Sequence, residues 1–145
     1  MITVKDDKKQ LTLSIDAYQY GNLSALPGEF DYDANWLDVA VSFCEGNEEK
    51  RRVDPCLLTT ELRELTDAME AVICKKEESY ISDFLEPYLK IAFAHCNGQI
   101  AVIIHFVYDT DGTWKTWKIN QLLNDVEARL ILSELKTMCK EYPPR

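Results

Sequence analysis

A chain of 145 residues, 46% hydrophobic and 28% charged, carries enough apolar side chains to fill the core of one domain, which excludes wholesale disorder. A net charge of −9 argues against nucleic acid or an anionic membrane as a partner, because both would repel it. Five scattered cysteines with no C-x-x-C pair, no apolar run near the ~20 residues of a membrane span, and no signal-peptide pattern after Met1 together predict a soluble, cytoplasmic protein.

The chain opens on two alternating runs, Ile2–Lys5 and Leu11–Ala17, separated by Asp6-Asp7-Lys8-Lys9. Pairing Val4 with Leu11 and Ile2 with Leu13 places apolar residues opposite one another, so a hairpin is expected. Tyr18 to Asn35 is the least regular stretch, broken by Gly21, Pro27 and Gly28, and reads as a long loop that turns acidic and aromatic at EFDYDANW. Leu37, Val39, Val41 and Phe43 alternate as a strand, Gly46-Asn47 turns the chain, and Arg51 to Pro55 returns in extended form. Val53, Pro55 and Leu57 share one parity, which predicts an odd-length loop. Pro55 cannot donate to a ladder and belongs at an edge or strand end.

Thr59 or Thr60 is expected to cap a helix that carries Glu61 in its first turn. Leu58, Leu62, Leu65, Met69, Val72 and Ile73 make its apolar stripe, and Lys75 and Lys76 close its last turn. The KKEES run is a solvated linker. Tyr80–Leu85 fits a strand or a loop.

Leu89 to Trp117 holds three strand-like runs and two turn signals. Asn97-Gly98 specifies a two-residue hairpin whose central residues both need positive φ, so Cys96 faces Gln99, Phe93 faces Val102 and Ile91 faces Ile104. Ile91, Phe93, His95, Ile100, Val102, Ile104 and Phe106 then share one side; Lys90, Ala92, Ala94, Cys96, Ala101, Ile103, His105 and Val107 share the other. Both sides are largely apolar. This predicts an interior strand with something packed on each face, the Ala-rich side admitting a helix. Looping Asp109-Thr110-Asp111-Gly112 with an even number of residues sets Trp117 and Ile119 on the Ile104 side. Asn124 with Glu127 forms a capping box for a last helix bearing Val126, Leu130, Ile131, Leu135, Met138 and Tyr142, ended by Pro143-Pro144. The expected fold is α+β: an antiparallel β-sheet meander with two amphipathic helices, one mid-chain and one C-terminal, in a single domain over residues 1–145.

Reactive chemistry is hard to assemble from these residues. The hairpin register points His95 and His105 to opposite faces. It also separates Cys96 from His105 by about six residues, on the order of 20 Å, where a nucleophile and its base need contact near ~3 Å. Asp31-x-Asp33-x-Asn35 begins like a calcium loop, but Trp36 stands where Gly is required and Ser42 where Glu is required; Asp109-x-Asp111 likewise ends on Asn120. No catalytic, metal or cofactor set is expected. One constellation stands out: Glu29, Asp31, Asp33 and Asp38 around Phe30, Tyr32 and Trp36. Its plain reading is a solvated loop with aromatics tucked into the core. Its functional reading is a binding patch with aromatic anchors and carboxylates for charge complementarity.

Three segments carry a resemblance. They are Asp33-Ala34-Asn35-Trp36-Leu37, the helix opening CLLTTELREL from Cys56 to Leu65, and F-L-E-P-x-L from Phe84 to Leu89, followed by a terminal Glu141-Tyr142-Pro143. In this order the sequence is similar to the WapI-type immunity proteins, small cytoplasmic inhibitors of wall-associated bacterial toxins. The resemblance implies a non-enzymatic protein without cofactors that binds the C-terminal toxic domain of a cognate secreted toxin, often a nuclease acting on RNA. The expected partner is therefore a toxin domain with a basic surface. The resemblance carries over no contact residues; the acidic, aromatic constellation itself supplies the expected ones, Glu29, Asp31, Tyr32, Asp33, Trp36 and Asp38. The competing readings are a small-ligand-binding domain or enzyme with a cleft near loop 21–35, and a dimerising scaffold suggested by the two-faced central hairpin.

Overall fold

Tight turns organise the strands, and each is enforced by a residue that accepts positive φ. In the computed structural model, which describes all 145 residues, Asn97 and Gly98 have φ of 49° and 80°, and Asp111 and Gly112 have 51° and 81°. These are the values a two-residue hairpin of matching twist demands. The elements run β1 (Ile2–Asp6), β2 (Lys9–Tyr18), α1 (Tyr32–Asn35), β3 (Trp36–Glu45), β4 (Glu48–Leu58), α2 (Thr59–Ile73), β5 (Ser79–Ile81), β6 (Leu89–Cys96), β7 (Gln99–Thr110), β8 (Thr113–Leu123) and α3 (Asp125–Glu141). They form two antiparallel four-stranded sheets, β1-β2-β3-β4 and β5-β6-β7-β8, so the meander is split in two, and α1 is a third, four-residue helix.

The opening hairpin pairs Val4 with Leu11 and Ile2 with Leu13, as the alternation predicts. The central hairpin pairs Cys96 with Gln99, Phe93 with Val102 and Ile91 with Ile104. Across β8, Trp117 opposes Phe106 and Ile119 opposes Ile104, so the even loop is correct and closes on Asp111-Gly112. The odd-length loop expected before β4 is not found: Glu45 pairs with Glu48 across a two-residue turn. The parity instead changes inside the strand, where the register shifts between Leu37 and Val39 and three residues of β4 span two of β3. This bulge falls at Pro55, whose missing N–H would break a regular ladder, and β4 is a sheet edge. Val53 is exposed, while Cys56, Leu57 and Leu58 are buried. Burial drives the Cys56 thiol far up, leaving it protonated and inert.

Both long helices cover the same side of the second sheet. Nε2 of His95, on the Ile91 side, lies 2.6 Å from the carbonyl of Val72 in α2. α2 and α3 touch one another through Thr66 and Cys139 (3.2 Å) and through the Lys136–Glu70 ion pair (2.9 Å). The buried faces of both sheets and the inward stripes of the helices make one core of 30 buried residues. The Ala-rich side therefore has no helix on it. Ala92, Ala94, Cys96, Ala101, His105 and Val107 are only half-buried, and Ile103 is exposed.

The α2 stripe is buried as expected, but its N-cap is Leu58, not a threonine. Glu61 reaches back to accept the Leu58 N–H at 2.9 Å, and Thr59 is buried with its hydroxyl turned elsewhere. In α3 the capping box forms as predicted, Asn124 Oδ1 accepting from Glu127 N (2.9 Å) and Glu127 accepting from Asn124 N (3.1 Å). Val126 and Leu130 point to solvent, and Ala128 and Leu132 take their places in the core. No helix is long and apolar enough to cross a membrane.

Candidate functional site

The irregular stretch before β3 is held in place from inside. Asp31 caps α1, its carboxylate accepting from the N–H groups of Asp33 (2.9 Å) and Ala34 (3.4 Å). Asn35, fully buried, satisfies its whole amide. Its Nδ2 donates to the carbonyls of Asp31 (2.8 Å) and Arg145 (2.9 Å), and its Oδ1 accepts from the Thr59 hydroxyl (2.7 Å) and the Arg145 N–H (3.0 Å). The Arg145 guanidinium sits over the Tyr18 ring, 3.6 Å from its centroid. It donates to the carbonyls of Tyr20 (2.6 Å), Gly21 (2.8 Å) and Ala34 (3.1 Å).

With its backbone anchored, the loop presents its side chains outward. Phe30 and Tyr32 meet edge to face at 5.1 Å, and both are exposed, as are Leu26 and Leu85. Phe30, Tyr32, Leu58, Thr60, Glu61, Asp83 and Leu85 line a broad, open depression of about 440 Å³. Glu61 is tied into its floor, accepting from the N–H groups of Leu58 and Leu85 (2.6 Å). Burial raises its carboxyl above the ordinary range, against the pull of these two bonds, and Glu64 and Glu86 push the same way. The Tyr80 phenol is pushed up to about 12, first by burial and then by Glu64, Glu61 and Asp83.

The predicted residues divide into two groups. Glu29, Asp31, Tyr32 and Asp33 lie together, exposed, on α1 and the turn before it. Trp36, half-buried, begins β3 opposite Leu58. Asp38 belongs to another cluster: together with Glu86 it raises the carboxyl of Asp54, which burial has already raised. Glu61, Asp83, Leu85, Asp54 and Glu86 were not among the contacts expected from the sequence. The acidic run from Glu77 to Glu86 was the available signal; the approach of that run to β4 and the start of α2 was not. The four ion pairs of the molecule are Met1–Glu134, Arg51–Asp16, Arg129–Asp125 and Lys136–Glu70. None neutralises a carboxylate of either group. No cluster of three His, Cys, Asp or Glu side chains is arranged to hold a metal ion.

The model of the immunity protein WapI-like family matches residues 1–143. No curated protein matches the sequence. Among solved structures, the crystal structure of WHY3 from Arabidopsis thaliana is similar with a TM-score of 0.51 at 11% identity, over 97% of this chain and 86% of that one. The structure of the plant transcriptional regulator PBF-2 gives 0.49 at 11% identity, over 97% of this chain and 80% of that one. At such identity the likeness to WHY3 is one of fold alone.

Proposed function

We propose that this chain, which belongs to the immunity protein WapI-like family, neutralises a cognate secreted bacterial toxin by laying its acidic, aromatic end over a basic surface of the toxic domain. The observation that carries this reading is the depression flanked by Phe30, Tyr32 and Leu85, whose carboxylates Glu61 and Asp83 have no cationic partner within the chain. Exposed aromatics supply contact area at low entropic cost, and uncompensated carboxylates supply steering and register. A nuclease domain suits such an inhibitor, because the cleft that holds RNA phosphates is cationic and would accept a carboxylate surface instead. Inhibition then needs no chemistry from the immunity protein, only occlusion in the cytoplasm of the producing cell. Glu29, Asp31, Tyr32 and Asp33 are the contacts proposed for one part of this face, and Trp36 and Asp38 for its continuation along β3.

The test is co-purification with the toxin domain encoded beside this gene, combined with an RNA-cleavage assay across a range of salt concentrations. A stoichiometric complex that suppresses cleavage, and whose association slows as salt rises, is the expected result. A neighbouring toxin domain that is not captured overturns the reading. Capture indifferent to salt overturns its electrostatic part.

A further inference from the structure

A second concavity lies where the β4 edge meets the β7–β8 hairpin. It has a volume of about 320 Å³; Tyr108 and the edge of the buried Phe106 line it from the Ile104 side of β7, the Tyr88–Trp114 pair lines it from the Val107 side, and Arg52, Asp54 and Asp109 complete the lining. Tyr88 and Trp114 are stacked, 5.7 Å between centroids and 8° from parallel, and Trp114 is nonetheless 59% exposed. The loop bearing Tyr88 is fixed to β7 by a hydrogen bond from Val107 N to the Tyr88 carbonyl (2.8 Å). A rigid aromatic wall facing solvent is an unusual use of a tryptophan, since its area is otherwise spent in a core.

The chain itself shows which chemistry these rings accept. The Arg52 guanidinium lies over Tyr108 at 5.3 Å from the centroid, with its Nη2 3.4 Å from the Thr110 hydroxyl. One guanidinium thus occupies one ring. The Tyr88–Trp114 pair has none, and Asp54 and Asp109 outnumber the single cation between them. Neither carboxylate is in an ion pair, and Asp38 and Glu86 add negative charge beside Asp54. An aromatic wall with surplus carboxylates is the arrangement that binds a flat or compact organic cation, through the ring quadrupole and direct charge together.

We infer that this cleft is a receptor for a cationic side chain, arginine or lysine, projecting from the basic partner, with Trp114 and Tyr88 as the aromatic wall and Asp54 and Asp109 as counter-charges. The partner's identity rests on the immunity reading above; the cleft's preference for a cation does not. Glu86 lies close enough to raise the carboxyls of both Asp54 and Glu61, so the cleft continues the acidic face.

The chain has three tryptophans, and their indole N–H signals in a proton–nitrogen spectrum report on the site separately. Titration with N-acetyl-arginine amide and N-acetyl-lysine amide is expected to move the Trp114 signal and leave those of Trp36 and Trp117 in place. The neutral isostere N-acetyl-citrulline amide should bind about five-fold or more weakly, and the double variant D54N/D109N should lose a similar factor for the cations alone. W114L removes that reporter, so this variant is followed through the backbone amide signals of Val107 and Asp109, whose response to the cations should vanish; because Trp114 is largely exposed, the remaining indole signals serve as the check that it folds. Equal response to citrulline, no selective shift at Trp114, or undiminished cation binding by D54N/D109N each overturns the inference. A chain that binds arginine amide in this way but captures no toxin keeps the cleft and loses the immunity reading. A chain that captures its toxin equally well with and without W114L keeps the immunity reading and loses the cleft.

Discussion

Asn35 and Arg145, 110 positions apart, hold each other in both directions: the Asn35 amide donates to the Arg145 carbonyl at 2.9 Å and accepts from the Arg145 N–H at 3.0 Å. This exchange closes the molecule across the end that bears Phe30 and Tyr32. N35A would leave the Thr59 hydroxyl and the Arg145 N–H and backbone oxygen without this partner, around a position that excludes water. We expect a loss of about 2–4 kcal/mol in urea unfolding, with faster proteolytic nicking in the 20–30 loop than in the parent. A loss under about 1 kcal/mol would show that the loop holds its shape without this lock.

The same network separates two neighbouring threonines that sequence alone leaves equivalent. Thr60 is exposed and does not cap α2, so T60A should change stability by no more than about 0.5 kcal/mol. Thr59 gives its hydroxyl to Asn35, so T59V should cost about 1–2 kcal/mol. In a double-mutant cycle with N35A, the T59V effect should largely vanish, because its acceptor is already gone. Additive effects would place the cost elsewhere.

These two residues also mark where the sequence stops being legible. Local rules carried far: Asn97-Gly98 set the central register to the residue, Asn124 with Glu127 announced α3, and the stripe from Leu58 to Ile73 was buried as spaced. Each of those depends on neighbours within a few positions. The misreadings all required knowing what lies across the fold. Val53 and Leu57 share a parity in sequence, yet the bulge at Pro55 puts the first in solvent and the second in the core. The Ala-rich side of β6 and β7 is apolar enough to pack, but both helices went to the other face, where His95 meets Val72. In the candidate face, Tyr32 and Asp33 were visible as a local cluster. Glu61, Asp83 and Glu86 join it only because the chain folds its acidic run back against the start of α2.

The raised carboxyls on this face give a pH signature of defined sign. Asp54 and Glu61 are both held above ordinary carboxylate values, principally by burial. Their folded forms bind protons more readily than the unfolded chain does. Their contribution to stability is therefore present in full below the unfolded value and is lost as pH rises through the raised folded value. D54N should stabilise the free protein at neutral pH in thermal unfolding, and the gain should shrink as pH falls toward the ordinary aspartate range. Binding of a basic partner runs the opposite way: it favours the ionised carboxylates, so affinity should fall as pH is lowered from 7 toward 4.5. A complex that tightens on acidification, or a D54N variant less stable at neutral pH, would contradict the assignment of this cluster as uncompensated charge.

Surface apolar residues offer the sharpest contrast, because the molecule exposes them in more than one place. Phe30, Tyr32 and Leu85 line the acidic depression, while Val126 and Leu130 on α3 are more exposed still. If burial of any apolar surface drove association, the two sets would matter alike. If the acidic, aromatic end is the contact, Y32A and F30A should each weaken toxin binding by about 2 kcal/mol or more, near 30-fold, without altering the unfolding midpoint. L85K, which sets a positive charge beside Glu61 and Asp83, should do so more severely and chiefly by slowing association. V126A and L130A should leave affinity within about two-fold of the parent, since neither borders a carboxylate cluster described for this face. Calorimetric titration of these five variants decides the matter: an affinity loss confined to V126A and L130A moves the interface to α3, and a uniform small loss across all five removes the case for a localised contact.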